Sequence, residues 1–164
     1  MDQNQSKELS QKNNFLLTET YQNIRKEIES NSFPWYLDRA TDETSPLQFC
    51  HSFLYNNEMS NFISIIYPIM DKLKTNNFFR IKANLNWKTN KIIETGEHVD
   101  ADNPKLKSSI YFLNTCDGYC RIEDKLFYSK ENSLITFNAN TIHSGSTTTN
   151  SEKRLLINFV YFDD

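Results

Sequence analysis

From residue 78 onward the chain is a succession of short runs rich in Phe, Ile, Tyr and Leu, each interrupted by Asn, Asp, Gly, Lys or Ser. Such runs between turn formers read as β-strands, because aromatic and β-branched side chains fill a pleated, half-buried surface. About eight strands are expected between residues 78 and 162, clearest at 109–113, 134–137 and 155–162. Eight short strands suit a double-sheet jelly roll, also called a double-stranded β-helix.

The first half has another texture. In residues 6–30, Leu9, Phe15, Leu16, Leu17, Ile24 and Ile28 sit among Gln, Asn, Glu and Lys in a loosely helical pattern. In residues 33–37, Pro34 pushes Phe33 out of helical geometry, so this aromatic segment is expected to be extended and anchored on the core. In residues 58–75, Met59, Phe62, Ile63, Ile66, Ile69, Met70 and Leu73 recur at spacings of three and four, which predicts an amphipathic helix covering one sheet face. The expected fold class is α+β, mainly β. Residues 1–164 form one unit, with helical support over 1–76 and a jelly-roll core over 77–164, because no repeat or linker divides a chain of this length.

Composition narrows the function. A formal charge of -3 offers no general attraction to a phosphate backbone, so nucleic acid is a disfavoured partner. Cys50, Cys116 and Cys120 are odd in number and lack zinc-site spacing, which fits a reducing, cytoplasmic setting. Residues 1–14 are polar and no stretch approaches the roughly 20 apolar residues that span a bilayer, so neither export nor a membrane partner is expected.

His98-Val99-Asp100 places two potential metal ligands two residues apart, and on a strand, where this motif is expected to lie, that spacing points both side chains to one face. His143, far downstream at the end of an expected strand, is a third candidate. Two imidazoles and one carboxylate form the facial set that suits iron(II) and leaves other positions open. Alone, His-x-Asp is as compatible with a surface turn or a satisfied histidine. Arg154 changes the balance, since it follows His143 by eleven residues and opens the last apolar strand, where an arginine is odd as a core residue. A guanidinium there could clamp a dicarboxylate through paired hydrogen bonds while its keto-acid end chelates the metal. His51 lies outside the strand-rich half and reads as a core or capping histidine, Cys120 as a small buried hydrophobe, and Lys153 as alternating away from the pocket.

These pieces resemble the prolyl-4-hydroxylase-like branch of the 2-oxoglutarate/Fe(II) oxygenases, particularly small members encoded by bacteriophages and marine bacteria. The resemblance covers residues 80–162. It rests on Arg80-Ile81-Lys82-Ala83-Asn84-Leu85, His98-Val99-Asp100, Ile110-Tyr111-Phe112-Leu113-Asn114, Asp117-Gly118-Tyr119, His143-Ser144-Gly145 and Arg154, in the family order. It implies that His98, Asp100 and His143 hold iron and that Arg154 binds the distal carboxylate of 2-oxoglutarate. Asn84, on the strand before the first ligand, and Asn158, two inward steps beyond Arg154, are further cosubstrate contacts by alternation. Where relatives carry a second tyrosine this chain has Phe112, and Ser108 is expected to supply a hydroxyl to the cosubstrate instead.

The implied activity is hydroxylation of a C–H bond with Fe(II), 2-oxoglutarate and O2, releasing succinate and CO2, with ascorbate as a supporting reductant. The eleven-residue step from His143 to Arg154 fits the hydroxylase branch better than the alkylated-base demethylases, which place that arginine farther along. The expected substrate is a protein or peptide side chain, proline by analogy, or a small metabolite, recognised by the segment 33–37 and the loops 88–97 and 102–107. The alternative is a non-catalytic, cupin-like module that binds a metal or a small acid without turning it over.

Overall fold

The computed structural model describes residues 9–163; residues 6–8 of the first expected helix lie outside the described residues. A two-residue strand β1 (Gln11–Lys12) precedes α1, which spans Thr18–Ile28 only. Tyr21, Ile24 and Ile28 give α1 its buried stripe, Glu19 occupies its first turn, and Arg25 and Lys26 its last, each charge facing the dipole end that favours it. The extended segment beyond it does anchor on the core. Phe33 is buried between Trp35, Phe53 and Phe62, and the chain continues into β2 (Tyr36–Arg39).

The first half is not helical support alone, which corrects the expectation for residues 1–76. β3 (Leu47–Tyr55) is a nine-residue strand of the large sheet, joined to β4 (Glu58–Met59) by a two-residue turn. Asn56 and Asn57 both adopt positive φ in that turn, the backbone that a tight hairpin with correct strand twist requires. The helix expected over 58–75 is correspondingly split. Its start is β4, then come a 3-10 turn (Ile63–Ile66) and α2 (Tyr67–Leu73), with Pro68 in the first turn of α2 and Lys74 in a left-handed cap. Ile63, Ile66 and Ile69 are buried as their spacing predicts.

Seven strands follow among the described residues, against about eight expected: β5 (Phe78–Trp87), β6 (Leu106–Phe112), β7 (Tyr119–Ile122), β8 (Lys125–Tyr128), β9 (Ser133–Asn138), β10 (His143–Ser144) and β11 (Lys153–Phe162). The large antiparallel sheet runs β1-β9-β6-β11-β5-β3-β2, with β4 on β3, and the small one β10-β7-β8. This is the double-stranded β-helix.

One face of the large sheet is dry. Ile81, Ala83 and Leu85 of β5 and Leu155, Ile157 and Phe159 of β11 pack with α1, the 3-10 turn and α2 into the main core. Each large aliphatic side chain buried there contributes about 1.5–3 kcal/mol. The other face meets the small sheet. Part of the interval is filled by a second apolar cluster containing Phe112, Ile122, Ile135 and Phe137, and the rest is a cavity. No helix among the described residues is long and apolar enough to cross a membrane.

Candidate active site

The cavity, about 140 Å³, is lined by alternate residues of the central strands. β5 contributes Arg80, Lys82, Asn84 and Asn86, and β11 contributes Arg154, Leu156 and Asn158. Period-two alternation makes this possible, since the intervening residues are the apolar ones already buried against the helices. Register brings Asn86 opposite Arg154, Asn84 opposite Leu156 and Lys82 opposite Asn158.

His98, Asp100 and His143 meet at one end, where one ligand atom from each lies within 4.8 Å of the others. His98 is not on a regular strand as expected. It lies in the connection between β5 and β6, held extended by an isolated bridge in which the backbone N–H groups of His98 and His143 each donate to the other's carbonyl at 3.0 and 2.9 Å. The Asp100 N–H donates to Ala139 O at 2.9 Å, which fixes the segment on both sides of Val99. Extension, rather than membership of a sheet, is what puts both side chains on one face.

The surroundings prepare these groups as ligands. Nδ1 of His98 lies 3.1 Å from Gly96 O, and Nδ1 of His143 lies 2.9 Å from Thr141 O. A ring nitrogen facing a carbonyl must carry the hydrogen, which leaves each Nε2 with a lone pair. Burial pushes the His143 imidazole down, against the pull of Asp100 in the other direction, and so keeps it neutral. Burial pushes the Asp100 carboxyl up. That is outweighed by His143, when charged, and by Arg80 with the hydrogen bonds of Ser108 and Asn158, so the carboxyl sits below its ordinary range. With His143 neutral, the last three hold the carboxylate. Nε2 of His143 is 3.6 Å from Asp100 Oδ2, and the two imidazole centroids are 4.4 Å apart.

Arg154 stands at the other end and is 1% exposed. Its Nε donates to Ser129 Oγ at 2.7 Å, Nη1 to Ser146 O at 3.2 Å and Nη2 to Cys120 Sγ at 3.1 Å, and the guanidinium lies 5.7 Å from the Phe112 ring centroid. No carboxylate among the described residues pairs with it. Burial pushes the Cys120 thiol up although Arg154 pulls it down, so the sulfur is a neutral acceptor and no counter-ion. Gly118 is required by this packing, because a Cβ there would come within 2.5 Å of Arg154 Cδ and 2.6 Å of Thr147 O.

The remaining expected contacts divide. Asn84 lines the cavity, and its Oδ1 is buried without a hydrogen-bond partner. Asn158 also lines it, but its Nδ2 donates to Asp100 Oδ2 at 3.0 Å. Ser108, fully buried, directs its hydroxyl to Asp100 Oδ2 at 2.6 Å and is not among the cavity-lining residues, so the structure places it behind the metal-ligand candidate. His51 stays outside the site, wedged among Phe33, Phe53 and Phe62 with Nε2 2.8 Å from Ser60 Oγ. Lys153 points away to Glu29, at 3.2 Å.

Sequence reasoning missed three contributors. Arg80 donates to Asp100 Oδ1 at 2.7 Å, Asn86 donates to Gln48 Oε1 at 3.3 Å across the missed strand β3, and Glu94 pairs with Arg121 at 2.5 Å, tying the loop 88–97 to β7. The alternation of Arg80, Lys82, Asn84 and Asn86 with Ile81, Ala83 and Leu85 is the signal that finds the β5 stripe.

No family model matches this sequence, and no curated protein matches it. Solved structures do match in shape. A Pseudomonas putida prolyl-4-hydroxylase superposes with a TM-score of 0.65 at 15% identity, over 95% of this chain and 92% of that one. The fold is that of the prolyl-4-hydroxylase-like 2-oxoglutarate oxygenases. The 2-oxoglutarate-dependent epimerase SnoN of nogalamycin biosynthesis shares this fold with a TM-score of 0.66 at 12% identity, over 94% of this chain and 77% of that one. So does a Trichoplax adhaerens prolyl hydroxylase, with a TM-score of 0.62 at 15% identity, over 94% and 83%.

Proposed function

We propose that this protein is an iron(II)- and 2-oxoglutarate-dependent oxygenase that hydroxylates a C–H bond. The observation that carries this reading is one cavity holding both a ligand-ready His/Asp/His cluster and a buried guanidinium without a carboxylate partner among the described residues. An uncompensated buried charge is costly, and a bound dicarboxylate would supply the missing partner. When bound, the iron supplies the oxygen activation that couples conversion of 2-oxoglutarate to succinate and CO2 with substrate oxidation.

His98 and His143 would offer Nε2, and Asp100 a carboxylate oxygen, the donor set of non-haem iron(II) sites. Arg154, held by Ser129 and the Ser146 carbonyl, would clamp the distal carboxylate of 2-oxoglutarate through charge-assisted hydrogen bonds. Asn84, whose Oδ1 has no partner, would meet the cosubstrate between the two ends, its amide turning to present Nδ2 as donor. Leu156 and Ile110 give that stretch apolar walls that exclude water. Ser108 and Asn158 serve the cosubstrate indirectly, by holding Asp100.

The substrate class we propose is a protein side chain such as proline or a small metabolite. One structural neighbour is complexed with a hypoxia inducible factor peptide and another with Fe3+, α-ketoglutarate and nogalamycin RO, so this fold accommodates both classes. O2 is the oxidant and ascorbate would keep the iron reduced. Anaerobic addition of Fe(II) and then 2-oxoglutarate should produce a visible charge-transfer band, and admission of O2 should release succinate. A flat visible spectrum at saturating 2-oxoglutarate overturns the reading. A band with no succinate release, substrate candidates included, would favour a binding module.

A further inference from the structure

We infer that Arg80 and Lys82 form an anion clamp beside the His/Asp/His cluster and select a substrate carrying a carboxylate or phosphate group, which rests on the oxygenase reading above and names the substrate chemistry of that site. The two residues alternate along β5, so both side chains face the cavity, and both line it. Register sets them opposite Val160 and Asn158 of β11, well along the strand from Arg154. Anything they hold is therefore separate from the clamp proposed for 2-oxoglutarate. Their side chains are 27% and 23% exposed, open enough to meet an incoming molecule.

Neither side chain is used up by the fold. Nη2 of Arg80 donates to Asp100 Oδ1 at 2.7 Å and to Asn158 Oδ1 at 3.2 Å. Its Nε is buried without a partner, and Nη1 has none among the described residues, so the guanidinium fork keeps unused donors. Lys82 takes no part in holding the cluster. Its Nζ donates to Asp38 Oδ2 at 3.0 Å, and Asp38, 48% exposed, is solvated well enough to release it at small cost. Charge points the same way. With both imidazoles neutral as ligands, the charges of iron(II), Asp100, Arg154 and a doubly ionised 2-oxoglutarate cancel. Arg80 is then a surplus cation, and Lys82 becomes a second whenever Asp38 turns to water. A cleft lined by one sign of charge focuses its field and draws in the opposite sign. An anionic group on the substrate would balance Arg80 and take up its unused donors, while the rest of the molecule lies toward the ligand cluster.

The test is calorimetric titration of O2-free protein, loaded with Mn(II) and 2-oxoglutarate, with inorganic phosphate, acetate and acetamide. Wild type should bind at least one of the two anions and not the neutral acetamide, and the tighter anion identifies the group the substrate carries. Lys82→Gln, which touches no ligand candidate, should weaken that anion at least fivefold, and Arg80→Gln at least tenfold. Lys82→Arg, which keeps the charge, should restore most of the loss. Added salt should weaken the anion more in wild type than in Lys82→Gln. Failure of both anions to bind the loaded wild type overturns the inference. So does an affinity that Lys82→Gln leaves unchanged, as expected for an ion held by the metal alone, and this variant decides the matter if Arg80→Gln does not load. A wild-type protein that takes up no Mn(II) or no 2-oxoglutarate is a different failure, removing the oxygenase reading and this inference with it.

Discussion

The two faces of the large sheet are made by the same strands and differ by one residue of register. On β5, Ile81, Ala83 and Leu85 face the helices and Arg80, Lys82, Asn84 and Asn86 face the cavity; on β11, Leu155, Ile157 and Phe159 oppose Arg154 and Asn158. The helix face is dry and interlocked, so it stabilises the chain through buried area. The cavity face carries buried cations and amides whose hydrogen bonds are incomplete, as Arg80 Nε and Asn84 Oδ1 show. Stability and chemistry are thus assigned to alternate residues of one backbone, and substitutions on the two faces should have separable effects.

The sharpest separation is expected at the metal-ligand candidates. His98→Ala should abolish succinate release and iron binding while the melting temperature stays within a few degrees, since its side chain belongs to no apolar core cluster. Asp100→Asn, which keeps an oxygen for the Ser108 and Asn158 donors, should also abolish both, with a larger drop in melting temperature because Arg80 loses its ion pair. Loss of the folded state in both variants would merge the two roles and break the comparison. Phe159→Ala tests the opposite face. It should cost about 3–5 kcal/mol in denaturant unfolding, through lost transfer energy and the cavity left behind, with 2-oxoglutarate affinity per folded molecule unchanged.

Arg154→Lys keeps the charge but loses the planar fork that the Ser129 and Ser146 contacts orient. The expected loss in 2-oxoglutarate affinity is about 1.5–3 kcal/mol, measured by calorimetry on the metal-loaded protein, and an unchanged affinity would mean that another group is the clamp. The smallest effect is expected off both faces, at Asp117. Burial raises its carboxyl, but hydrogen bonds from Thr149, Thr148 and the Asn150 N–H bring it down to about 2. A depressed folded value means that its contribution is fully present above about pH 4, the unfolded range, and is lost as pH falls through about 2. Asp117→Asn should therefore lower the melting temperature slightly at pH 6, with the difference from wild type vanishing near pH 2. A difference that persists there would point to packing instead.

Legibility in the sequence followed the reach of the forces involved. The strands at 109–113, 134–137 and 155–162 were readable because each carries an apolar run; β9 and β11 contain the last two, and β6 covers all of the first but Leu113. β3 was not, because Gln48, His51 and Ser52 break its apolar pattern and both its faces are occupied for different reasons, one by core and one by cavity. Its hairpin turn, Asn56-Asn57, was the local clue. The triad and Arg154 were legible as residue types at suggestive spacings. Ser108 was assigned to the cosubstrate because a hydroxyl near the ligands has no address in one dimension; only the register row it shares with Arg80 and Val160 directs it to Asp100.

By itself the sequence determined which residues alternate, hence which side chains share a face, because a strand's period of two is a local property of the backbone. It also determined the chemistry on offer: two imidazoles, a carboxylate and an arginine out of place in a core. What only the tertiary structure decided is who meets whom. His98 reaches His143 through a bridge across 45 residues of chain, and Asp100 receives its three donors from three different strands. Such pairings depend on strand order and register, which long-range packing selects and no local pattern encodes.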